Sequence, residues 1–175
     1  YFIFDKGGAW QRRKKENYNM KKIASFCIDH TKLLPGIYLS RKDAKNGVTV
    51  STFDIRITAP NREPVIDQPA LHTIEHLAAT WLRNSEIKND VVYFGPMGCR
   101  TGCYLLVFGE PSPEEISKYV KGAFEFIAAY DGDIPGAKAD ECGNYLEQNL
   151  SMAKYYAKKF LCELEKEPRY EYPQK

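Results

Sequence analysis

Two of the three histidines in the 175-residue chain lie within one pentapeptide, His72-Thr73-Ile74-Glu75-His76. In a helix His72 and His76 are one turn apart on the same face, where two imidazoles can bind one metal ion. Glu75 lies beside them, close enough to move protons at whatever the metal holds. Because two surface histidines and a solvated glutamate fit so short a motif equally well, the rest of the chain must decide.

A metal held by two histidines needs a third protein ligand and an open position for water or substrate. His30, the remaining histidine, is one candidate. Cys142 is a better one, since it lies in a loop before a predicted helix and is followed by Gly143, which lets backbone or ligand come close. The alternative for a lone cysteine is a small buried or idle thiol.

Cys99 lies in the segment Gly95-Pro96-Met97-Gly98-Cys99-Arg100-Thr101-Gly102, between two predicted strands. The glycines and the proline indicate a tight, sterically open turn, and the positive charge of Arg100 favours the reactive thiolate. The alternative is a β-turn with an incidental cysteine. Cys103 and Cys162 lack such surroundings, and core or surface positions suit them better.

The helices and strands that must position these residues are indicated by periodicity and capping signals. Residues 48–58 alternate in their second half and predict a half-buried strand, with Phe53, Ile55 and Ile57 on one face and Asp54 and Arg56 on the other. A helix is predicted from about residue 69 to residue 83, capped near Asp67 or Gln68, with an apolar stripe formed by Leu71, Ile74, Ala78 and Leu82.

Further strands are predicted at residues 91–94, at residues 103–108 and around Cys27, which alternates with Phe26 and Ile28. A second helix begins at a capping box of Ser112 and Glu115 and runs toward residue 130. Residues 131–143 are loop-like, and a third helix is predicted from near residue 145 to about residue 165. This order predicts an α+β sandwich, with helices packed on one face of a mainly antiparallel sheet.

Composition and charge narrow the function classes. We expect one catalytic domain over residues 20–175, preceded by a disordered extension or added segment at residues 1–19, which carries a net charge of +3. The remainder carries −1, so no basic face calls for nucleic acid. No apolar run reaches the roughly 18–20 residues of a membrane helix. Five cysteines, an odd number, without a secretion signal predict a reducing cytoplasm.

Six blocks of the sequence, taken together and in this order, resemble the S-ribosylhomocysteine lyase (LuxS autoinducer-2 synthase) family. The resemblance covers nearly all of residues 20–165. The blocks are residues 25–30 (Ser-Phe-Cys-Ile-Asp-His), residues 53–56 (Phe-Asp-Ile-Arg), the histidine pentapeptide 72–76, the cysteine turn 95–102, residues 134–137 (Ile-Pro-Gly-Ala) and residues 142–144 (Cys-Gly-Asn).

The resemblance implies the roles of the site residues. One divalent metal per subunit is held by His72, His76 and Cys142; it is iron(II) natively, with zinc or cobalt possible in preparations. Glu75 and Cys99 form the general acid/base pair. Three further residues help to bind substrate in a pocket shared by two identical subunits: Ser25, His30 and Arg56.

The implied reaction splits S-ribosylhomocysteine into homocysteine and 4,5-dihydroxy-2,3-pentanedione, the precursor of the quorum-sensing signal autoinducer-2. Carbonyl migration along the ribose chain precedes β-elimination, which also links the reaction to the methyl cycle. One departure concerns Tyr93, where many family members have an aspartate that could contact substrate.

Two other functions fit parts of the same pattern. A metallopeptidase of the inverted H-x-x-E-H type would use Glu75 to activate a metal-bound water, although such enzymes usually take a glutamate as third ligand and are much larger. A structural zinc domain would close a tetrahedron with Cys99 as the fourth ligand.

Overall fold

The computed structural model describes residues 2–4, 10–12, 21 and 23–173; the side chains of residues 2–4, 10–12, 24 and 25 are outside that description. Strands β1 (Phe2–Phe4) and β2 (Trp10–Arg12) pair antiparallel with each other. The prediction of a disordered extension concerns mainly residues outside the described part and stays a prediction.

The main sheet has four antiparallel strands in the order β3-β4-β6-β5. Their bounds are β3 (Gly36–Lys45), β4 (Val48–Arg56), β5 (Val91–Pro96) and β6 (Gly102–Phe108). Three helices complete the described fold, α1 (Gln68–Leu82), α2 (Pro113–Ala129) and α3 (Leu150–Lys166). The predicted α+β class with a mainly antiparallel sheet is confirmed.

Helix α1 forms as its sequence predicts. Asp67 is the N-cap, and its carboxylate accepts a hydrogen bond from the backbone N–H of Ala70 at 3.2 Å. Pro69 occupies the first turn, where no intrahelical N–H is needed. The apolar stripe of the helix is buried, as predicted, and its members are Leu71, Ile74, Ala78 and Leu82.

One hydrophobic core holds the helices on one face of the sheet. Phe53 and Ile55 of β4 and Leu105 of β6 are fully buried against the helices, together with Phe124 of α2 and Phe160 of α3. The rings of Phe124 and Phe160 meet edge to face, with centroids 4.8 Å apart. None of the helices in the described ranges is long and apolar enough to cross a membrane.

The prediction that β4 is half-buried is wrong. Asp54 and Arg56, expected on a solvated face, are each only 2% exposed. The strand lies between β3 and β6, and the C-terminal segment returns across its second face. Tyr172 stacks on Tyr38 with ring centroids 4.8 Å apart and donates a hydrogen bond to Asp54 at 3.1 Å. Alternation alone cannot show that a distant segment covers the polar face.

Three local predictions also need correction. The segment around Cys27 is a 3₁₀ helix (Ala24–Cys27), because the N–H of Phe26 bonds back to the carbonyl of Ile23 at 3.0 Å. Strand β5 continues two residues beyond the predicted end, through Pro96, which an edge strand tolerates. Helix α3 starts at residue 150, since Asn149 caps it through the N–H of Met152 at 3.1 Å. Strand β3 was not predicted.

Candidate metal centre and active site

The two histidines of α1 face each other as the helical spacing predicts. The Nε2 atoms of His72 and His76 are 3.0 Å apart, and both side chains are half-buried. The two rings meet edge to face with centroids 4.6 Å apart. A one-turn separation on a well-capped helix therefore directs two nitrogen donors at the same small volume.

Cys142 reaches this volume from the loop at residues 131–149. Its Sγ lies 3.4 Å from His72 Nε2, and the three donor atoms of His72, His76 and Cys142 are all within 4.8 Å of one another. A turn in which the N–H of Cys142 bonds to the carbonyl of Lys138 at 2.9 Å shapes the loop here. The backbone N–H of Asn144 donates toward the sulfur at 3.4 Å and helps to fix its position.

Backbone carbonyls set the orientation of both imidazoles. His72 Nδ1 lies 2.9 Å from the carbonyl oxygen of Glu147, and His76 Nδ1 lies 2.7 Å from that of Pro135. A carbonyl can only accept, so each Nδ1 carries the proton and each Nε2 is left with a lone pair. Two nitrogen lone pairs 3.0 Å apart repel one another, unless a cation lies between them.

The donor set fits a divalent metal. Tetrahedral coordination with ordinary zinc–nitrogen and zinc–sulfur distances would separate the two nitrogens by about 3.3 Å and a nitrogen from the sulfur by about 3.6 Å. The corresponding separations are 3.0 Å and 3.4 Å. Two imidazoles and one thiolate suit zinc, iron or cobalt better than magnesium or calcium.

Glu75 lies on α1 between the histidines, and it is half-buried. Its negative charge affects two residues of the sheet. Burial and the Glu75 carboxylate together raise the pKa of Tyr93 on β5. Burial, with Glu75 as the next cause, likewise raises the pKa of Cys103 on β6. Cys103 is fully buried and stays a neutral thiol, so it takes the core position, one of the two that the sequence allowed.

Cys99 occupies the turn between β5 and β6 with an exposed side chain. The turn is closed by a hydrogen bond of 2.9 Å from the N–H of Arg100 to the carbonyl of Met97, and Arg100 takes the left-handed conformation with φ of 58°. The Sγ of Cys99 lies 3.1 Å from the hydroxyl of Thr101 and 3.7 Å from the guanidinium of Arg56.

These neighbours favour the thiolate of Cys99. Partial burial acts to raise the pKa of the thiol, but the hydrogen bonds of Thr101 and the charge of Arg56 outweigh it, and the pKa is lowered from its usual value. The positive charge that lowers the pKa of the Cys99 thiol comes from Arg56. Arg100, which the sequence suggested, is not among the causes of the shift.

Arg56 is itself held by a buried network. One end of its guanidinium donates to Asp54 at 2.5 Å, and the other donates to the hydroxyl of Thr101 at 2.5 Å. Since Thr101 accepts from Arg56, its own proton can point to Cys99. A chain of hydrogen bonds therefore runs from Tyr172 through Asp54, Arg56 and Thr101 to the thiol.

The remaining predicted substrate residues lie in the N-terminal part of the described chain. His30 is half-buried, and its Nδ1 is 3.0 Å from the carbonyl oxygen of Ile28. Ser25 falls in the 3₁₀ helix, and its side chain lies outside the described atoms. Among the described residues, His30 is not part of the metal-binding cluster.

Sequence reasoning missed the residues that support the site. Asp54 and Thr101 were named only as parts of a strand and a turn, although Asp54 shares a strand face with Arg56 and Thr101 is two residues from Cys99. Those spacings were the available signal. The carbonyls of Pro135 and Glu147 left no signal at all, because every residue has one.

Comparison with known proteins agrees with this arrangement. The family model for S-ribosylhomocysteinase (LuxS) matches residues 23–171. An S-ribosylhomocysteine lyase of Finegoldia magna is 57% identical over 142 residues, which are 81% of this chain and 90% of that protein. One of Borreliella burgdorferi is 54% identical over 157 residues, which are 88% of this chain and 100% of that protein. One of Phocaeicola vulgatus is 56% identical over 146 residues, 83% and 91% of the two chains. This chain belongs to the S-ribosylhomocysteinase (LuxS) family.

Proposed function

We propose that this protein is a metal-dependent lyase that cleaves S-ribosylhomocysteine to homocysteine and 4,5-dihydroxy-2,3-pentanedione. The observation that carries the proposal is the convergence of three donor atoms, from His72, His76 and Cys142, within 4.8 Å in a chain of this family. The structural zinc alternative needs Cys99 as a fourth ligand, and Cys99 is not in the cluster formed by the described residues.

His72, His76 and Cys142 would hold one divalent metal per subunit, with iron(II) as the native ion and zinc or cobalt as substitutes. When bound, the ion supplies Lewis acidity that offsets the negative charge developing on the sugar oxygens. The carbonyls of Glu147 and Pro135 keep the imidazoles turned so that their Nε2 atoms are available.

Cys99 and Glu75 would move the protons. Moving a carbonyl along the open ribose chain removes a proton from one carbon and returns it to its neighbour, and the reaction does this twice, from C1 to C2 and from C2 to C3. Two proton-transfer groups are therefore needed. The lowered pKa of Cys99 increases the fraction of thiolate that is available as a base.

The same pair would complete the cleavage. With the carbonyl at C3, removal of the C4 proton breaks the bond between C5 and sulfur, and the departing homocysteine thiolate takes up a proton. The remaining enol converts to the diketone by gaining a proton at C5 and losing one from oxygen. All atoms of the substrate are then accounted for, and no water or redox partner is consumed.

We assign substrate binding to Ser25, His30 and Arg56, in a pocket shared by two subunits of a homodimer. Arg56 is buried beneath Cys99, so its contribution to the ligand would be charge at the floor of the site. Tyr93, where many relatives have aspartate, offers a neutral phenol with a raised pKa. Sedimentation of the fully active enzyme as a monomer would contradict the shared pocket.

The proposed location is the cytoplasm, because the five cysteines are free thiols in the structure and the site depends on two of them. The products suggest two roles there. The diketone would serve as precursor of a signalling molecule, and homocysteine would return to methyl metabolism.

A thiol-release assay tests the proposal. The cobalt- or iron-loaded protein should release one thiol per S-ribosylhomocysteine, while Cys99→Ala and Glu75→Gln should keep the metal and lose release by at least about a hundredfold. Cys142→Ala serves as the contrast, because it should lose metal and activity together. Absence of thiol release by the fully loaded wild type would overturn the function; loss of metal in Cys99→Ala or Glu75→Gln would overturn the assigned roles.

A further inference from the structure

Thr73 lies inside the histidine pentapeptide and is fully buried. A threonine within a helix usually satisfies its hydroxyl by bonding to the carbonyl one turn back, and Thr73 has that partner, Pro69, at 3.0 Å. It also has two partners from the distant loop. Its single proton can be donated to the carbonyl of Pro69 or to the side-chain oxygen of Gln148, which lies 2.8 Å away, and its oxygen accepts from the backbone N–H of Asn149 at 2.9 Å.

Those loop partners adjoin the metal-binding cluster. Glu147, the residue before Gln148, places its carbonyl oxygen 2.9 Å from His72 Nδ1. The side-chain nitrogen of Gln148 is 3.3 Å from the same ring atom. Asn149, which the hydroxyl of Thr73 holds by its N–H, caps α3. The point where the loop ends and α3 begins is therefore tied to the residue next to His72.

We infer that Thr73 is a positioning residue of the metal centre. Its hydroxyl fastens the end of the loop at residues 131–149 to α1, so that the carbonyl of Glu147 meets His72 and the thiol of Cys142 stays within reach of His72 Nε2. The inference rests on the proposed metal site and goes beyond it, because Thr73 touches neither metal nor substrate.

The physical reason lies in what an apolar replacement would leave behind. Thr73→Val keeps the shape of the side chain but removes the oxygen, so the N–H of Asn149 and the side-chain oxygen of Gln148 both lose a buried partner. The loop end would shift toward water to satisfy them, and the carbonyl of Glu147 would move with it. Loss of such an outer contact typically lowers metal affinity by about 10–100-fold.

The experiment follows cobalt leaving the full-length protein. Cobalt bound to a thiolate has a near-ultraviolet charge-transfer band, and its decay after addition of excess EDTA gives the rate of metal loss without substrate. Thr73→Val should lose cobalt about 10–100-fold faster than wild type. Thr73→Ser, which keeps the hydroxyl, should stay within about threefold of wild type.

Thr80→Val is the matched control. The hydroxyl of Thr80 donates to the carbonyl of His76 at 2.7 Å, an intrahelical bond like that of Thr73 to Pro69. In the described structure Thr80 has no hydrogen bond to the loop. Its valine variant should hold cobalt as long as wild type does.

Equal rates of cobalt loss for wild type and Thr73→Val would overturn the inference, and so would equal acceleration by Thr73→Val and Thr80→Val. If Thr73→Val fails to fold by circular dichroism, Gln148→Leu removes the same contact from the loop side and must show the faster loss. If wild type binds cobalt but releases no homocysteine, the lyase proposal falls and the positioning role stands. If wild type cleaves substrate and Thr73→Val holds cobalt normally, only the positioning role falls.

Discussion

The loop that carries Cys142 and the sheet that carries Cys99 hold their thiols by different means. Around Cys142 the partners are backbone carbonyls and amides, and the loop that supplies them has no regular secondary structure of its own between α2 and α3. Around Cys99 the partners are side chains on paired strands, and they include a buried charge pair formed by Asp54 and Arg56.

The difference suggests separate tasks. In a cluster of two imidazoles and one cysteine sulfur, the free energy of metal binding comes from the bonds to the metal itself. The protein therefore needs only to orient the ligands. The proposed role of Cys99 as a base calls for a fixed positive charge beside the thiol, and a fixed charge needs a buried counterion to stay in place. Changes in the loop should therefore alter metal retention, and changes in the sheet should alter stability and the pH dependence of Cys99.

The largest effect on stability should come from Asp54→Asn. It leaves Arg56 charged and only 2% exposed without its counterion, and breaking such a pair costs about 3–5 kcal/mol of folding free energy. Urea unfolding of the metal-free protein measures the loss. Asp43→Asn breaks an exposed pair with Arg41 and should cost at most about 1 kcal/mol. Equal losses in the two variants would show that the buried pair contributes no more to the free energy of unfolding than the exposed pair does.

That buried pair also marks the limit of what the sequence could predict. The helix, its cap and the two histidines followed from spacing over a few residues, because one turn of helix fixes their relation. The burial of Asp54 did not, since it depends on Tyr172, 118 residues away along the chain. Cys142 was predicted as the better of two candidate third ligands, ahead of His30, and the family resemblance implied the same residue.

The start of α3 is a second feature that the sequence could not predict, although the error is only a few residues. Residues 145–149 have helical propensity, which is why the helix was predicted from near residue 145. In the structure the carbonyl of Glu147 is directed to His72 instead, and the side chain of Gln148 to Thr73. Tertiary hydrogen bonds to a residue 75 positions earlier outweigh the local preference. No pattern within the helix itself carries that information.

A smaller effect, confined to the sheet, should follow from Thr101→Val. The hydroxyl of Thr101 lowers the pKa of Cys99 against the opposing effect of burial, so its removal raises that pKa and reduces the thiolate at any pH below it. Alkylation of Cys99 by iodoacetamide at neutral pH should slow by about tenfold or more, because one hydrogen bond to a charged group is worth about 1.5–3 kcal/mol. The pH midpoint of the reaction should move upward.

Mass spectrometry and a control variant show whether the slower alkylation arises at Cys99. Alkylation is followed by mass spectrometry of the peptide that contains Cys99, since the other thiols react independently. Thr52→Val is the control, because Thr52 is buried on β4 and its hydroxyl has no hydrogen-bond partner among the described residues. A midpoint that stays in place or moves downward in Thr101→Val would contradict the role of the hydroxyl, and faster cobalt loss would contradict the separation of the two regions.

The smallest effect should come from Gly136→Ala in the loop. Gly136 has a φ of +74°, and a Cβ there would lie 3.1 Å from His76 Nδ1, at the ring atom that the carbonyl of Pro135 meets. The left-handed conformation costs alanine about 1 kcal/mol, and relief of the close contact would draw that carbonyl away. Cobalt should therefore leave severalfold faster, while the pH midpoint of Cys99 stays unchanged.

Gly143→Ala is the matched control, because its added Cβ would meet no described atom within 4 Å and its φ is not left-handed. If both variants held cobalt equally well, the outer contact to His76 would be dispensable, and the loop would position the metal through Cys142 and His72 alone.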